Sequence, residues 1–134
     1  MSSDKQFNSH VFLDGAVANG VGTGVDVRAY RHITIALGTS GTTTATIKIQ
    51  GTADSTIPTW SSAASRTNHW DYIAHYDAND PSAVVTGDIG VVLAGADTVQ
   101  NLIVNTDMIN YLNLEITGYS AGTIDAEVTT GDND

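Results

Sequence analysis

The chain has 134 residues, no cysteine, 5 Lys and Arg against 15 Asp and Glu, and a formal net charge of -10. That charge opposes binding to nucleic acid and to anionic lipid, and the lack of cysteine excludes disulfides, thiolate metal sites and thiol nucleophiles. With 41% hydrophobic residues the chain is too apolar for an acidic disordered segment, and its length suits one domain that buries about two-thirds of its unfolded surface.

Residues 1–9 are polar, lack the apolar stretch of a secretion signal, and are expected to form an N-terminal tail ahead of a single domain over residues 10–130. No apolar run approaches the roughly 18 residues of a membrane-spanning helix, so synthesis in a cytosol is expected. His10 to Leu13 is a short strand candidate, and turns at Asn19-Gly20 and Gly22-Thr23-Gly24 lead to another at Gly24 to Arg28. His32 to Leu37 alternates, with Ile33, Ile35 and Leu37 on one face; Ser40-Gly41 then turns into Ala45 to Gln50, with Ala45, Ile47 and Ile49 inward.

Gly51 to Asn68 carries Pro58, Trp60 and a Ser/Ala run without alternation, and is expected to be a long loop with a functional or interface role. Trp70 to Tyr76, Ile89 to Ala94 and Gln100 to Asn105 are further strand candidates. Two strongly alternating segments close the domain: Tyr111 to Thr117, with Leu112, Leu114 and Ile116 inward, and Thr123 to Thr129, with Ile124, Ala126 and Val128 inward. Tyr119 to Gly122 between them is predicted to be a hairpin. Thr34, Lys48, Glu115 and Glu127 fall on the outward faces, and residues 131–134 are expected to be a C-terminal tail. About nine short strands at this spacing, without an amphipathic helix, predict an all-β fold, an antiparallel β-sandwich or barrel.

No catalytic signature is present. His10, His32, His69 and His75 form no HExxH pair, no Ser sits in a GxSxG elbow, and His32, His69 and His75 are expected at the surface. His10, near the start of the first strand, is a candidate for a pH-sensitive interface contact. Asp77-Ala78-Asn79-Asp80-Pro81 offers oxygen ligands for Ca²⁺, but Ser82 stands where a calcium loop of the EF-hand type needs glycine, and such Asx-rich turns ordinarily cap their own backbone. No metal, cofactor or catalytic residue is therefore assigned.

All five basic residues, Lys5, Arg28, Arg31, Lys48 and Arg66, precede eleven acidic ones in the rest of the chain. Arg28 and Arg31 suit a protein interface through their planar, multiply donating heads, with intramolecular pairing to nearby carboxylates as the alternative. Among the aromatics Trp60, Trp70, Tyr72 and Tyr76, core packing is expected of Trp70 and partner contact of Trp60, beside Pro58 in the long loop. Lys5, Arg28, Arg31 and Trp60 are the expected partner-binding residues.

The stretches GVGTGVDVRAYRHITIAL (20–37), ATIKIQGTADSTIPTWSSAASRTNHWDYI (45–73) and GDIGVVLAGADTVQNLIVNTDMINYLNLEITGYSAG (87–122) resemble short all-β structural proteins of tailed bacteriophages, of which the jelly-roll capsid decoration, or cement, proteins are the best-defined group. The resemblance implies a β-sandwich of jelly-roll form and a non-enzymatic virion protein on the outer head surface. Such a protein staples major capsid protein subunits, as a homotrimer first and a dimer second, without nucleic acid, membrane or cofactor. The alternative is a receptor- or carbohydrate-binding module of a tail or fibre, using Trp60, Tyr72 and Tyr76.

Overall fold

Alternating segments become strands because one face of each can be buried against a second sheet. The computed structural model describes residues 9–62 and 68–132, with side chains as far as Val128. Among these residues there are twelve strands and no helix: β1 (His10–Ala16), β2 (Gly20–Val21), β3 (Val25–Asp26), β4 (His32–Ser40), β5 (Thr42–Thr52), β6 (Asp71–Tyr72), β7 (His75–Asp77), β8 (Val84–Val85), β9 (Val91–Ala96), β10 (Val99–Asn105), β11 (Tyr111–Thr117) and β12 (Thr123–Asp132). The expected N-terminal tail, Lys5 included, lies outside the described residues. At the other end β12 runs on to Asp132.

One sheet has the order β1-β12-β4-β10-β7-β8; in the other β11 pairs with β2, β3 and β5, and β5 pairs in turn with β9 and β6. All these pairs are antiparallel. Taking β2 and β3 as one interrupted strand, β1-β12-β4-β10 facing β2/β3-β11-β5-β9 is the eight-stranded jelly-roll order, with β6 to β8 inserted between β5 and β9. The interruption is local: the Phe12 carbonyl accepts from Thr23 N at 3.1 Å, and a Cβ at Gly22 would lie 2.4 Å from that same oxygen.

The core is the set of inward residues expected from alternation. Ile35, Leu102 and Ile124 from one sheet meet Ile47, Ile49, Leu112 and Leu114 from the other, all fully buried. Each such side chain contributes roughly 1.5–3 kcal/mol through removal from water.

Three expectations fail, each for a definable reason. Tyr119 to Gly122 is not a hairpin: β11 and β12 belong to opposite sheets, and the segment crosses between them. Both strands alternate because both face one core, and alternation is the same whether neighbours pair edge to edge or stack face to face. The turns β4–β5 and β9–β10 cross in the same way at the same end of the sandwich. There Gly41 N donates to Asp97 Oδ1 at 3.0 Å, Thr39 N donates to Thr98 O at 2.9 Å, and Gly41 and Gly122 lie side by side.

Second, Trp70 to Tyr76 is not one strand. It breaks after Tyr72, so that β6 joins one sheet and β7 the other. His75 thereby turns inward and is almost fully buried, its Nδ1 donating to Ile73 O at 3.0 Å; burial holds its pKa below the ordinary imidazole value.

Third, Glu115 is not at the surface. It points away from the core on β11, opposite Lys48 on β5, yet is completely buried. The long loop folds back over this outer face, where Gln50 Nε2 donates to Ser61 O at 2.7 Å and Trp70 Nε1 to Thr59 O at 3.2 Å. Trp70 is accordingly buried against Trp60 and Tyr72, outside the inter-sheet core.

Candidate functional site

The end of the sandwich opposite the three crossings is built from the β3–β4 loop (27–31), the start of the long loop (53–62) and the β10–β11 loop (106–110). Backbone bonds fix these loops to one another. Thr106 N donates to Arg31 O at 2.8 Å, Val27 N to Asn110 O at 2.9 Å and Asn110 N to Thr52 O at 2.8 Å. Side chains add to this: Thr106 Oγ1 donates to Tyr30 O at 2.8 Å, and Asn110 Nδ2 to the carbonyls of Ala53 at 3.0 Å and Asp54 at 2.9 Å. Loops tied in this way present their side chains from a fixed frame.

Arg28 and Trp60, 32 positions apart in the sequence, are brought to one pocket of about 340 Å³, lined also by Val25, Asp26, Ile57 and Tyr111. Asp26 positions the arginine. Its carboxylate accepts from Arg28 backbone N at 2.9 Å and from Nε at 3.0 Å, and pairs with Nη2. The guanidinium lies 5.3 Å from the centre of the Tyr111 ring, a cation–π arrangement. The hydrogen-bonded guanidinium holds the Asp26 carboxyl below its usual range, against a smaller opposing effect of desolvation.

Trp60 is half-buried, its indole 6.3 Å from that of Trp70, and it comes so close to Gly24 that a Cβ there would lie 2.4 Å from Nε1. Ile57, on the same rim, is 69% exposed.

Arg31 stands apart from the pocket, at the tip. Its Nη2 is 4.0 Å from Asp107 Oδ2, and the neighbouring Met108 is 84% exposed with φ of 73°. A bulky residue held at positive φ and turned to solvent is a costly local choice that the surrounding loop enforces. Of the expected partner-binding residues, Arg28, Arg31 and Trp60 thus share one end of the fold, whereas Lys5 lies outside the described residues.

Sequence reasoning missed Asp26, Ile57, Met108 and Tyr111. Only Asp26 left a usable trace, as an Asx residue two positions before a donor. Tyr72 and Tyr76 do not join the pocket: the Tyr72 hydroxyl donates to Glu115 Oε1 at 2.6 Å and Tyr76 belongs to the other sheet. At the former calcium candidate, Asn79 N donates to Asp77 Oδ1 at 2.9 Å and Ser82 Oγ to Asp80 Oδ1 at 2.7 Å, so these carboxylates cap their own turn. Among the described residues no group of three or more His, Cys, Asp or Glu side chains is placed to hold a metal ion.

Beside the pocket, the outer face of β11 carries a buried acid. Glu115 is raised above the usual carboxyl range by burial, an effect the Tyr72 hydroxyl and the Lys48 ammonium only partly offset. Its Oε2 and the Oε1 of buried Gln50 have no hydrogen-bond partner among the described residues. A raised folded-state pKa means that the fold holds this proton more tightly than the unfolded chain does. Stability from this group is therefore fully present below the unfolded carboxyl pKa and is lost as pH rises through the folded one. Glu115→Gln keeps an acceptor for Tyr72 and removes the buried charge. The variant is expected to unfold a few degrees higher than wild type at about pH 8, with the gain vanishing at about pH 3.5. Thermal unfolding across that range checks this, and an unchanged difference at both ends would contradict it.

The fold is similar to that in the crystal structure of the SPBc2 prophage-derived protein YomS, with a TM-score of 0.70 over 98% of this chain and 98% of that one at 10% sequence identity. Neither protein-family models nor curated protein sequences match the chain.

Proposed function

We propose that this is a bacteriophage virion structural protein, a non-enzymatic capsid decoration protein that docks on the outer head surface and staples neighbouring major capsid protein subunits. The observation that carries the reading is the tip: Arg31 and exposed Met108 stand together on loops locked by backbone hydrogen bonds. An arginine and a methionine on a rigid frame are residue types enriched where proteins meet. The jelly-roll shared with a prophage-derived protein supports a phage origin, and the charge of -10 favours a protein lattice over nucleic acid. Binding that prefers the assembled shell to the disrupted one becomes shell stability by mass action, and a homotrimer, or failing that a dimer, strengthens it by matching a lattice symmetry axis.

Added to heads that lack it, the protein is expected to cosediment stoichiometrically and to raise the temperature at which they release DNA. Arg31→Glu, at an exposed position, is expected to weaken capture about tenfold while the protein stays folded, with at most a small drop in unfolding temperature from the lost Asp107 pair, and added salt to weaken wild-type capture. Binding to tails with none to heads would overturn the decoration reading in favour of a tail or fibre module.

A further inference from the structure

The flank pocket is independent of the tip. With the lattice met through Arg31 and Met108, the cavity lined by Trp60 and Tyr111 opens beside the contact, over the outer face of β3 and β11. Its chemistry narrows what it holds. Two aromatic side chains and Ile57 give it apolar walls, whereas the Asp26–Arg28 pair on its rim is about half exposed. The pair is electrically balanced.

An anion would meet the Asp26 carboxylate and the acidic field of the whole chain. A cation would meet Arg28, which already occupies the carboxylate and sits over Tyr111. An apolar group would strip water from an ion pair and give nothing back. A neutral ring with an apolar face and a polar edge avoids all three penalties.

From this we infer that the pocket is a saccharide site that takes one uncharged pyranose ring, with its C–H face on the Trp60 indole and neighbouring hydroxyls on Asp26 and Arg28. The negative π-face of an indole attracts the weakly positive C–H face of a sugar. Vicinal hydroxyls donate to a carboxylate and accept from a guanidinium. Arg28 spends Nε and Nη2 on Asp26 and keeps the other terminal nitrogen as a donor. A volume of about 340 Å³ is at the lower end of small-molecule pockets, which suits a single ring held in an open site.

The test uses the full chain and saturation-transfer NMR with D-glucose, D-galactose, N-acetyl-D-glucosamine and L-rhamnose, beside acetate, butylammonium and benzene as anionic, cationic and apolar probes. At least one sugar is expected to receive saturation with Kd of about 1 mM, and the three other probes none. Trp60→Ala, Arg28→Ala and Asp26→Asn should each weaken that sugar at least tenfold. Asp26 and Arg28 are exposed, so their variants report on binding if Trp60→Ala should misfold, and Arg31→Glu should bind the sugar like wild type. Transfer to no sugar, transfer that survives Arg28→Ala and Asp26→Asn, or a preference for acetate, butylammonium or benzene would each overturn the site. Head capture that fails while the sugar still binds removes the decoration reading alone; loss of the sugar with capture intact removes this site alone.

Discussion

Leu114→Asp is expected to leave no soluble folded protein. Leu114 lies mid-strand on β11, opposite Ile49 on β5, and is completely buried between the sheets. A carboxylate there has no donor to meet, and burying it unpaired, or protonating it to avoid that, costs several kcal/mol out of a typical total of about 5–15 kcal/mol. Soluble yield and thermal unfolding are the measurements, and a near-normal transition would show that the register of β11 is wrong. The next residue makes the contrast: Glu115 is as buried as Leu114 but faces the Tyr72 hydroxyl and Lys48, so a carboxyl is tolerated one position away from where it is ruinous.

Gly122→Ala is expected to lower the unfolding temperature by about 10 °C. At φ of 79° an L-residue is strained, by about 1–2 kcal/mol. The new Cβ would also lie 2.1 Å from Thr43 Oγ1 and 2.8 Å from Ser40 O. Thr43 is fully buried and cannot swing clear. The double variant Thr43→Ala/Gly122→Ala isolates the hydroxyl clash, because it removes Thr43 Oγ1 and leaves both the backbone strain and the close approach to Ser40 O. Partial recovery is the expected result. Equal unfolding temperatures for wild type and Gly122→Ala would mean that the β4–β5 and β11–β12 crossings do not press together as described.

The inner face of the fold was legible because alternation is a direct record of burial. Ile33, Ile35, Ile47, Leu112 and Ile124 all stand where their spacing puts them. What alternation does not record is the partner: it assigned β11 and β12 to one hairpin when they line opposite walls. Nor does it record what covers an outward face. Glu115 had the spacing of a solvent-exposed residue, and only the return of the long loop over β5 and β11 buries it. For the site, residue type singled out Arg28, Arg31 and Trp60 as sticky side chains. It could not bring Trp60 to Arg28, since that meeting depends on where residues 53–62 settle, and this is fixed by polar side chains outside the segment, Asn110 on the Ala53 and Asp54 carbonyls, Trp70 on Thr59 O and Gln50 on Ser61 O, whose partners are backbone oxygens without a residue signature.

The pairing of β1 with β12 has a mechanical consequence. His10 lies opposite Val128, and the two strands run antiparallel, so the leading end of one and the trailing end of the other lie near each other. A pull that separates those ends opens the ladder like a zipper, loading one pair of hydrogen bonds at a time. Force applied along the long axis, between the loop tip and the crossings, runs parallel to the strands and shears many bonds together, because ladder bonds stand perpendicular to the chain. The fold is therefore expected to be anisotropic under tension: compliant where β1 and β12 are peeled apart at His10 and Val128, stiff between the loop end and the crossings.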